Sequence, residues 1–409
     1  MKSATSFCSY YNSKICQSCE WIEKSYDLQL AQKEKALKET LQFLWASNRS
    51  DFLIEKKILQ KTVRSELQGF RNRAKMSVTG SVDSPIIGLT GEESLDQGRE
   101  LLNCPIHHPK LNELIQFLPS VITEHQLAPY QIKKRQGELK GLIAFYASET
   151  NQMYLRFILR SKESVARIQK LTLLLQKQFP HLVCVSANIQ PIPHAILEGE
   201  EEVYLTHNQA IDYPVGAYSL RLSPQAFVQT NTAVAQKLYQ TAASWIREAN
   251  VKKVLELFCG IGAFSFAAAS KSPNVAGLTE GAACSAIGME FLGIEINESA
   301  AVSAQKTADH YGLTSMTFKQ ADATKTGDEL KTFQPDLILV NPPRRGLKDG
   351  IQLIKTLRPG YLIYSSCSVE SLALDLSKIL ATYKLKKIQV FDLFPHTKHF
   401  ETLVWLERI

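Results

Sequence analysis

The chain has 409 residues, of which 44% are hydrophobic and 21% charged, and a formal charge of +7. These values fit a globular protein of two or three domains with a large core, and exclude a disordered or fibrous chain. No apolar run reaches the roughly 18 to 20 residues of a bilayer span, and the polar start Met1-Lys2-Ser3-Ala4-Thr5-Ser6 lacks a secretory apolar core. A cytoplasmic protein without a membrane partner is expected, and the modest basic excess leans toward a polyanionic partner without deciding one.

The eight cysteines are too sparse and scattered for an extracellular disulfide framework. Four of them cluster by spacing: Cys8, Cys16 and Cys19 read C-x7-C-x2-C, and Cys104 stands alone within Asn103-Cys104-Pro105. Two thiols at C-x2-C can hold one metal from a single turn, and Cys8 and Cys104 could complete an all-thiolate site for zinc or an iron-sulfur cluster. The plainer alternative is four unrelated small core residues. Cys184, Cys259 and Cys284 have no partner pattern and read as structural.

After the cysteines, Leu28 to Trp45 has apolar residues at helical spacing. Gly69 to Leu89 alternates Phe70, Ala74 and Met76 with Arg71, Arg73 and Lys75, then carries Gly80 and Pro85 as turn signals, which predicts an antiparallel hairpin with a basic face. Strands are expected at Leu139 to Ala147, Gln152 to Leu159 and Leu182 to Ile189, with an amphipathic helix from Val165 to Phe179 after Ser164. This middle region is therefore α+β. Its basic residues Lys133, Lys134, Arg135, Lys140, Arg156, Arg160, Lys162 and Arg167 are interleaved with Tyr130, Phe145, Tyr146, Tyr154 and Phe157. That mixture suits RNA, through phosphate contacts and base stacking, but equally suits a solvated strand face with an ordinary apolar underside.

A domain boundary is expected near Tyr213-Pro214-Val215-Gly216, dividing residues 1–213 from 214–409. Beyond it, a helix from Ala233 to Glu248 is followed by alternating strands and helices: Val254 to Phe258, a helix in the 260s, Phe291 to Ile296, Ser299 to His310, Met316 to Gln320, Leu337 to Val340, Tyr361 to Ser365, Val369 to Tyr383 and Ile388 to Phe391. This order predicts a mostly parallel, doubly wound sheet. Three strand ends then meet on one edge, where open α/β sheets bind ligands: the glycine turn Phe258-Cys259-Gly260-Ile261-Gly262, the loop Asn341-Pro342-Pro343-Arg344-Arg345, and Cys367. A nucleophilic thiol beside a nucleotide-like cofactor follows from that geometry.

The glycine turn departs from the dinucleotide fingerprint, because Ala263, Phe264 and Ser265 stand where a third glycine is needed for a pyrophosphate. With Glu295 at one following strand end to accept ribose hydroxyls and Asp322 after the next, the set fits an adenosine without a pyrophosphate, such as S-adenosylmethionine. The acid is ambiguous: Glu280 follows Gly262 by 18 residues and Glu295 by 33. Glu295 is favoured because it leads directly into the helix from Ser299, which makes Ala276 to Glu290 an inserted loop.

These motifs together resemble the RNA uracil-5-methyltransferases, and most of all the branch acting on 23S ribosomal RNA. The resemblance runs nearly end to end: the C-x7-C-x2-C start, Gly69 to Met76, Cys104, Phe227-Val228-Gln229-Thr230-Asn231, Leu257 to Gly262, Asn341 to Gly346, Ser365-Ser366-Cys367, and Phe394-Pro395-His396-Thr397 before Glu401. It implies a Rossmann-like S-adenosylmethionine-dependent catalytic domain joined to an N-terminal and central α+β iron-sulfur and RNA-binding region, whose hairpin at 69–89 packs on the catalytic domain. It further implies a [4Fe-4S] cluster on Cys8, Cys16, Cys19 and Cys104, cofactor contacts from Gln229, Phe258, Glu295 and Asn341, and Cys367 and Glu401 as nucleophile and base. Gly260, Gly262 and Asp322 complete the expected cofactor site. The partner implied is 23S ribosomal RNA, with no obligate protein partner.

The chemistry explains the residue types. Uracil C5 is too weak a nucleophile to attack a methyl group unaided, so a thiolate first adds at C6, and a base later removes the C5 proton. Free cysteine is only a few per cent thiolate near pH 7, so Arg344 or Arg345 would help by lowering its pKa. Two other classes use parts of this pattern. An exocyclic-amine methyltransferase also carries Asn-Pro-Pro, but would leave Cys367 and Glu401 idle; a noncatalytic iron-sulfur RNA-binding protein would leave the whole constellation idle. Another uracil target, in ribosomal or transfer RNA, is the remaining alternative.

Overall fold

The computed structural model describes residues 6–46, 57–90, 97–192, 198–270, 288–324 and 327–409. The chain divides into two units: Met1–Glu23, Glu66–Tyr213 and Leu222–Pro224 form one, and Lys24–Ser65, Pro214–Arg221 and Gln225–Ile409 the other. Residues 24–65 thus group with the C-terminal half although they follow the N-terminal cysteines. Among the described residues, no helix is long and apolar enough to cross a membrane.

The first unit is built on seven strands: β1 (Arg73–Gly80), β2 (Pro85–Thr90), β3 (Gly98–Glu100), β4 (Leu139–Ala147), β5 (Gln152–Leu159), β6 (Leu182–Ile189) and β7 (Glu201–Tyr204). Their order is β3-β2-β1-β4-β5-β6-β7. Only β5 and β6 run parallel, and the helix Val165–Gln178 supplies the crossover that a parallel pair needs. Its Ile168, Leu171 and Leu175, at helical spacing, share one core with Leu111, Leu114, Leu118 and Ile122 of the helix Pro109–Glu124 and with the strand residues Leu142, Leu155 and Phe157.

Two expectations change here. The hairpin β1–β2 belongs to this sheet: Ala74, Met76 and Val78 alternate into the core, and β1 pairs with β4 from Arg73 opposite Phe145 to Ser77 opposite Gly141. The aromatics of that mixture are internal, and so are two of its eight basic residues. Arg156 is 1% exposed and ion-paired with Glu198 and Glu202, Lys140 donates to the carbonyls of Gln190 and Ile192, and Phe145, Tyr154 and Phe157 are buried. Lys133, Lys134 and Arg135 remain on the surface. Composition alone cannot show that Arg156 meets its carboxylates through a loop more than forty residues away in sequence.

A hairpin of β8 (Ile211–Val215) and β9 (Tyr218–Leu222) occupies the expected boundary. The second unit then contains β10 (Lys253–Leu257), β11 (Glu290–Glu295), β12 (Met316–Gln320), β13 (Leu337–Val340), β14 (Tyr361–Ser366), β15 (Tyr383–Phe391) and β16 (Glu401–Arg408), in the order β12-β11-β10-β13-β14-β16-β15. The first five are parallel, and the order reverses between β10 and β13, which opens a crevice at their C-terminal ends. β16 runs antiparallel to both β14 and β15. The helix expected over Val369 to Tyr383 stops at Ser377, because Tyr383 already begins β15. β11 begins at Glu290, so the inserted stretch is shorter than expected by one residue; Glu280 and Cys284 lie outside the described residues.

The helix Tyr26–Ala46 packs in this second unit, where Leu37 and Leu41 join the core of Leu372 and Leu376. It also reaches the segment that precedes β16. Lys33 Nζ lies 2.6 Å from Asp392 Oδ1 with both side chains fully buried and donates to the Phe394 carbonyl, while Gln29 Oε1 accepts from the His396 N–H at 2.8 Å. Breaking a buried ion pair strands a charge in a low dielectric. Lys33→Met is therefore expected to lower unfolding free energy in urea by about 3–5 kcal/mol, and Lys33→Met/Asp392→Asn to recover much of it; equal losses would assign the effect to packing rather than charge.

Candidate active site

The predicted site residues fall along one edge of the second sheet in the order of its strands. Asp322 follows β12, Glu295 ends β11, Phe258 to Gly262 follow β10, Asn341 follows β13, Cys367 follows β14, and Glu401 begins β16. Because β16 is antiparallel, its first residue lies on the edge where the other strands end. With neighbouring strands about 4.8 Å apart, three strand steps separate Glu295 from Cys367, roughly 14 Å.

The turn after β10 is sharp. Phe258 has φ +60°, in the left-handed region that costs a non-glycine residue about 1–2 kcal/mol. Gly262, at φ +79°, opens the short helix Ala263–Ala269, and a Cβ there would meet the Phe318 ring at 2.7 Å. Glu295 ties this turn to β11: one carboxylate oxygen accepts from Gly260 N–H and the other from Asn297 N–H, both at 2.9 Å. Asp322 Oδ1 accepts from the amide and hydroxyl of Thr324. Gln229 is buried, two residues before Asn231, whose side chain caps the helix Thr232–Ala249 at Val234 N–H.

At the other end of the edge, β14 pairs with β16 from Tyr361 opposite Glu407 to Ser366 opposite Thr402. Cys367 directly follows Ser366 and Glu401 directly precedes Thr402, so both stand at the end of this ladder. Residues alternate between faces, so Ser365, opposite Leu403, shares a face with Glu401 and reaches it diagonally; its hydroxyl donates to Glu401 Oε1 at 2.5 Å. Glu401 is 1% exposed, and burial pushes its pKa up to about 7 against the opposing effect of that hydrogen bond. Burial also pushes the Cys367 thiol up, and Glu401 adds to the shift, while Arg344 pulls it down. Arg344 therefore acts in the expected direction without prevailing. Ser365 is the residue that motif reading passes over; its signal is the two-residue spacing from Cys367.

The four clustered cysteines lie together in the first unit, lining one small cavity with Tyr10, Ile22, Leu101 and Ile106. Burial pushes the Cys19 thiol up to about 12, reinforced by Cys104, Cys16 and Cys8 and opposed by Arg71. Burial also raises Cys104, against backbone N–H donors from Ile106 and His107. Among the described residues, no three or more His, Cys, Asp or Glu side chains stand in position to hold a metal ion. The donor chemistry is that of an all-thiolate site, with four free thiols on one cavity. Cys184 and Cys259 are buried core thiols.

A parallel sheet that reverses beside a glycine turn, with an acid on the adjacent strand end, is the ligand-binding architecture of S-adenosylmethionine-dependent methyltransferases. The sequence model described as tRNA (uracil-5-)-methyltransferase matches residues 167–409, and the chain belongs to this family of RNA uracil-5-methyltransferases. It is 38% identical over 404 residues to the 23S rRNA (uracil(747)-C(5))-methyltransferase RlmC of Glaesserella parasuis, covering 98% of this chain and 97% of that protein. It is 37% identical to the RlmC of Xenorhabdus nematophila, covering 98% and 99%. Among solved structures, the Pyrococcus abyssi tRNA (uracil-54, C5)-methyltransferase in complex with S-adenosyl-L-homocysteine shares the fold, with a TM-score of 0.73 and 22% identity over 95% of this chain and 85% of that one.

The raised pKa of Glu401 makes stability depend on pH. The folded state holds the proton more tightly than the unfolded chain, so the stabilisation is complete below the ordinary carboxyl pKa of 4.5 and is lost as pH rises through about 7. Glu401→Gln, neutral in both states, is expected to match wild type near pH 4 and to exceed it by about 1–3 kcal/mol at pH 8, as read from urea midpoints. A constant difference across that range would place the proton elsewhere.

Proposed function

We propose that this protein methylates C5 of a uridine in 23S ribosomal RNA, at the position for which its RlmC relatives are named, by a covalent route through Cys367. The observation that carries the reading is the pairing of β14 with β16, which brings a thiol just past the end of one strand to the buried carboxyl that heads the other, beside the Asn341 loop. An exocyclic-amine methyltransferase has no use for that pair.

S-adenosylmethionine supplies the electrophilic methyl group and leaves as S-adenosylhomocysteine. The residues that would hold it are Gln229, Phe258, Gly260, Gly262, Glu295, Asp322 and Asn341, spread along the strand ends from β12 to β13. Glu295 already orders the Gly260 turn by hydrogen bonding, which leaves its remaining acceptor capacity for ribose hydroxyls. The Asn341 side chain makes no hydrogen bond to the described residues and stands between the cofactor end of the edge and Cys367. Phe227, 62% exposed two residues before Gln229, offers an aromatic face to an unstacked base.

The protein's part in the reaction is nucleophilic addition followed by proton removal. Cys367 Sγ, as thiolate, bonds to uracil C6 and pushes electron density to C5, which then takes the methyl group. Glu401 removes the C5 proton, the C5–C6 double bond re-forms, and the C6–S bond breaks to release the thiolate. Arg344, which lowers the Cys367 pKa and lies 3.4 Å from His399 Nδ1, favours the ionised thiol when the site closes on RNA. The uridine must leave its stack for C6 and C5 to be reached.

Cys8, Cys16, Cys19 and Cys104 are proposed to hold a [4Fe-4S] cluster. The support is the donor set: four thiols on one cavity, amide donors toward Cys104, and the Arg71 guanidinium beside Cys104 and Cys19, where it would offset negative charge. Anaerobically purified protein is expected to be brown, with iron and sulfide in cluster proportion, and replacing Cys16 by Ser is expected to abolish the colour. Zinc without iron, or colourless protein that methylates RNA normally, overturns this assignment.

The division of labour at the catalytic end has its own signature. Cys367→Ala should bind RNA yet form no covalent complex, even with 5-fluorouridine at the target. Glu401→Gln should add and methylate but stall before elimination, leaving a shifted protein–RNA band on denaturing gels with unmodified RNA. Since Glu401 is a base only when ionised, wild type should also show a higher ratio of trapped adduct to product as pH falls below about 7. Turnover by Cys367→Ala, or no adduct from wild type with fluorinated RNA, refutes the covalent route.

A further inference from the structure

Asp375 lies on the helix Val369–Ser377, which begins just past Cys367 and is capped by Ser368, whose side chain accepts from Ser371 N–H. Its side chain is not directed to solvent, as its spacing from Lys378 would suggest, but is 4% exposed. One carboxylate oxygen, Oδ2, accepts two hydrogen bonds: from the Leu347 N–H at 2.7 Å and from the Tyr364 hydroxyl at 2.9 Å. Leu347 closes the loop that starts at Asn341 and carries Arg344. Tyr364, fully buried, sits on β14 three residues before Cys367. Gly346 makes the closure possible: its φ is +76°, and a Cβ there would meet Asp375 Oδ2 at 2.6 Å.

The loop from Asn341 to Leu347 thus has two anchors. At its start, β13 is paired to β14 through Val340 opposite Tyr364; at its end, it is tied to the same Tyr364 through Asp375. Between them lie the stiff Pro342-Pro343 pair and the exposed Arg344, the cation that lowers the Cys367 pKa. Between the anchors, Arg344 also meets His399 Nδ1 at 3.4 Å and Gly346 N–H donates to the Pro343 carbonyl, and the second anchor fixes where the end of that turn lies.

We propose that Asp375 is a positioning residue for the methyl-transfer reaction: by gathering Leu347 N–H and Tyr364 O–H on one oxygen, it holds the Asn341–Arg344 loop at a fixed distance from Cys367. The role is geometric rather than electrostatic, so a neutral acceptor of the same shape serves as well. The inference rests on Cys367 being the reacting thiol. It assigns to Asp375 no contact with RNA or with S-adenosylmethionine, whose site extends along the sheet edge away from this helix.

The test compares Asp375→Leu with Asp375→Asn in the full-length protein, with Tyr364→Phe as a milder lesion should the leucine variant fail to fold. Iodoacetamide labelling of Cys367, followed by peptide mass spectrometry across pH, reads the thiol directly and needs no RNA. A second assay measures covalent trapping on 5-fluorouridine RNA, and a third measures S-adenosylmethionine affinity by calorimetry. Asp375→Leu should move the Cys367 labelling midpoint to higher pH and slow trapping by about ten- to a hundredfold, with unchanged cofactor affinity. Asp375→Asn should restore both, and Tyr364→Phe should shift the midpoint in the same direction by less. A leucine or phenylalanine variant with the wild-type labelling profile, or an asparagine variant as impaired as leucine, overturns the proposal. If wild type itself traps no fluorinated RNA, the covalent reading of the site falls while the labelling comparison still judges the clamp.

Discussion

The catalytic arrangement depends on the direction of a single strand. In a parallel sheet, the edge that gathers strand ends receives side chains only from loops, which must then be held by other contacts. β16 enters this sheet reversed, so a residue at its start, already fixed by hydrogen bonds to β14 and β15, stands on that edge. Glu401 is therefore delivered by sheet register rather than by a loop. The diagonal hydroxyl of Ser365 then fixes the carboxyl itself. Every other part of the site is ordered relative to this pair: the Asn341 loop on the neighbouring strand, the glycine turn one strand further, and Glu295 beyond it.

The same placement makes ionisation costly for both reacting groups. Glu401 and Cys367 share a partly dry edge: burial raises the pKa of both, and Glu401 further disfavours the ionised form of Cys367. Such a site holds the Cys367 thiol mostly protonated until something supplies positive charge or removes the carboxyl's own charge. Arg344 is the cation in reach, and its exposed position leaves it free to respond to a bound polyanion.

Much of this was legible in the sequence, and the exceptions have physical causes. β4, β5, β6, β12 and β13 match their apolar runs residue for residue, because each is bounded by turn residues or a helix start. β16 escapes the pattern: its residues from Glu401 to Leu406 are all buried, so there is no two-residue alternation to read, and a buried glutamate at its head imitates a loop. The helix Pro109–Glu124 carries Pro119 inside it, which reads as a break. Asp375 looks like half of an ordinary surface pair with Lys378, since nothing local marks the Leu347 amide as its partner. Motif order places the candidate site residues on one sheet edge, whereas the residues that hold them in place depend on contacts between distant segments.

The position of β16 also bears on how the protein is made. β16 lies between β14 and β15 yet follows both in the chain, so those two strands must remain apart, with unpaired edges, until the later segment arrives. Closing the gap early by pairing β14 directly with β15 would yield a compact sheet with a complete glycine turn and no Glu401 on its edge. Unpaired strand edges invite wrong partners during synthesis. On a nascent chain Cys367 is therefore made before Glu401, and the ladder that brings the two to one sheet edge has to wait for the final strand.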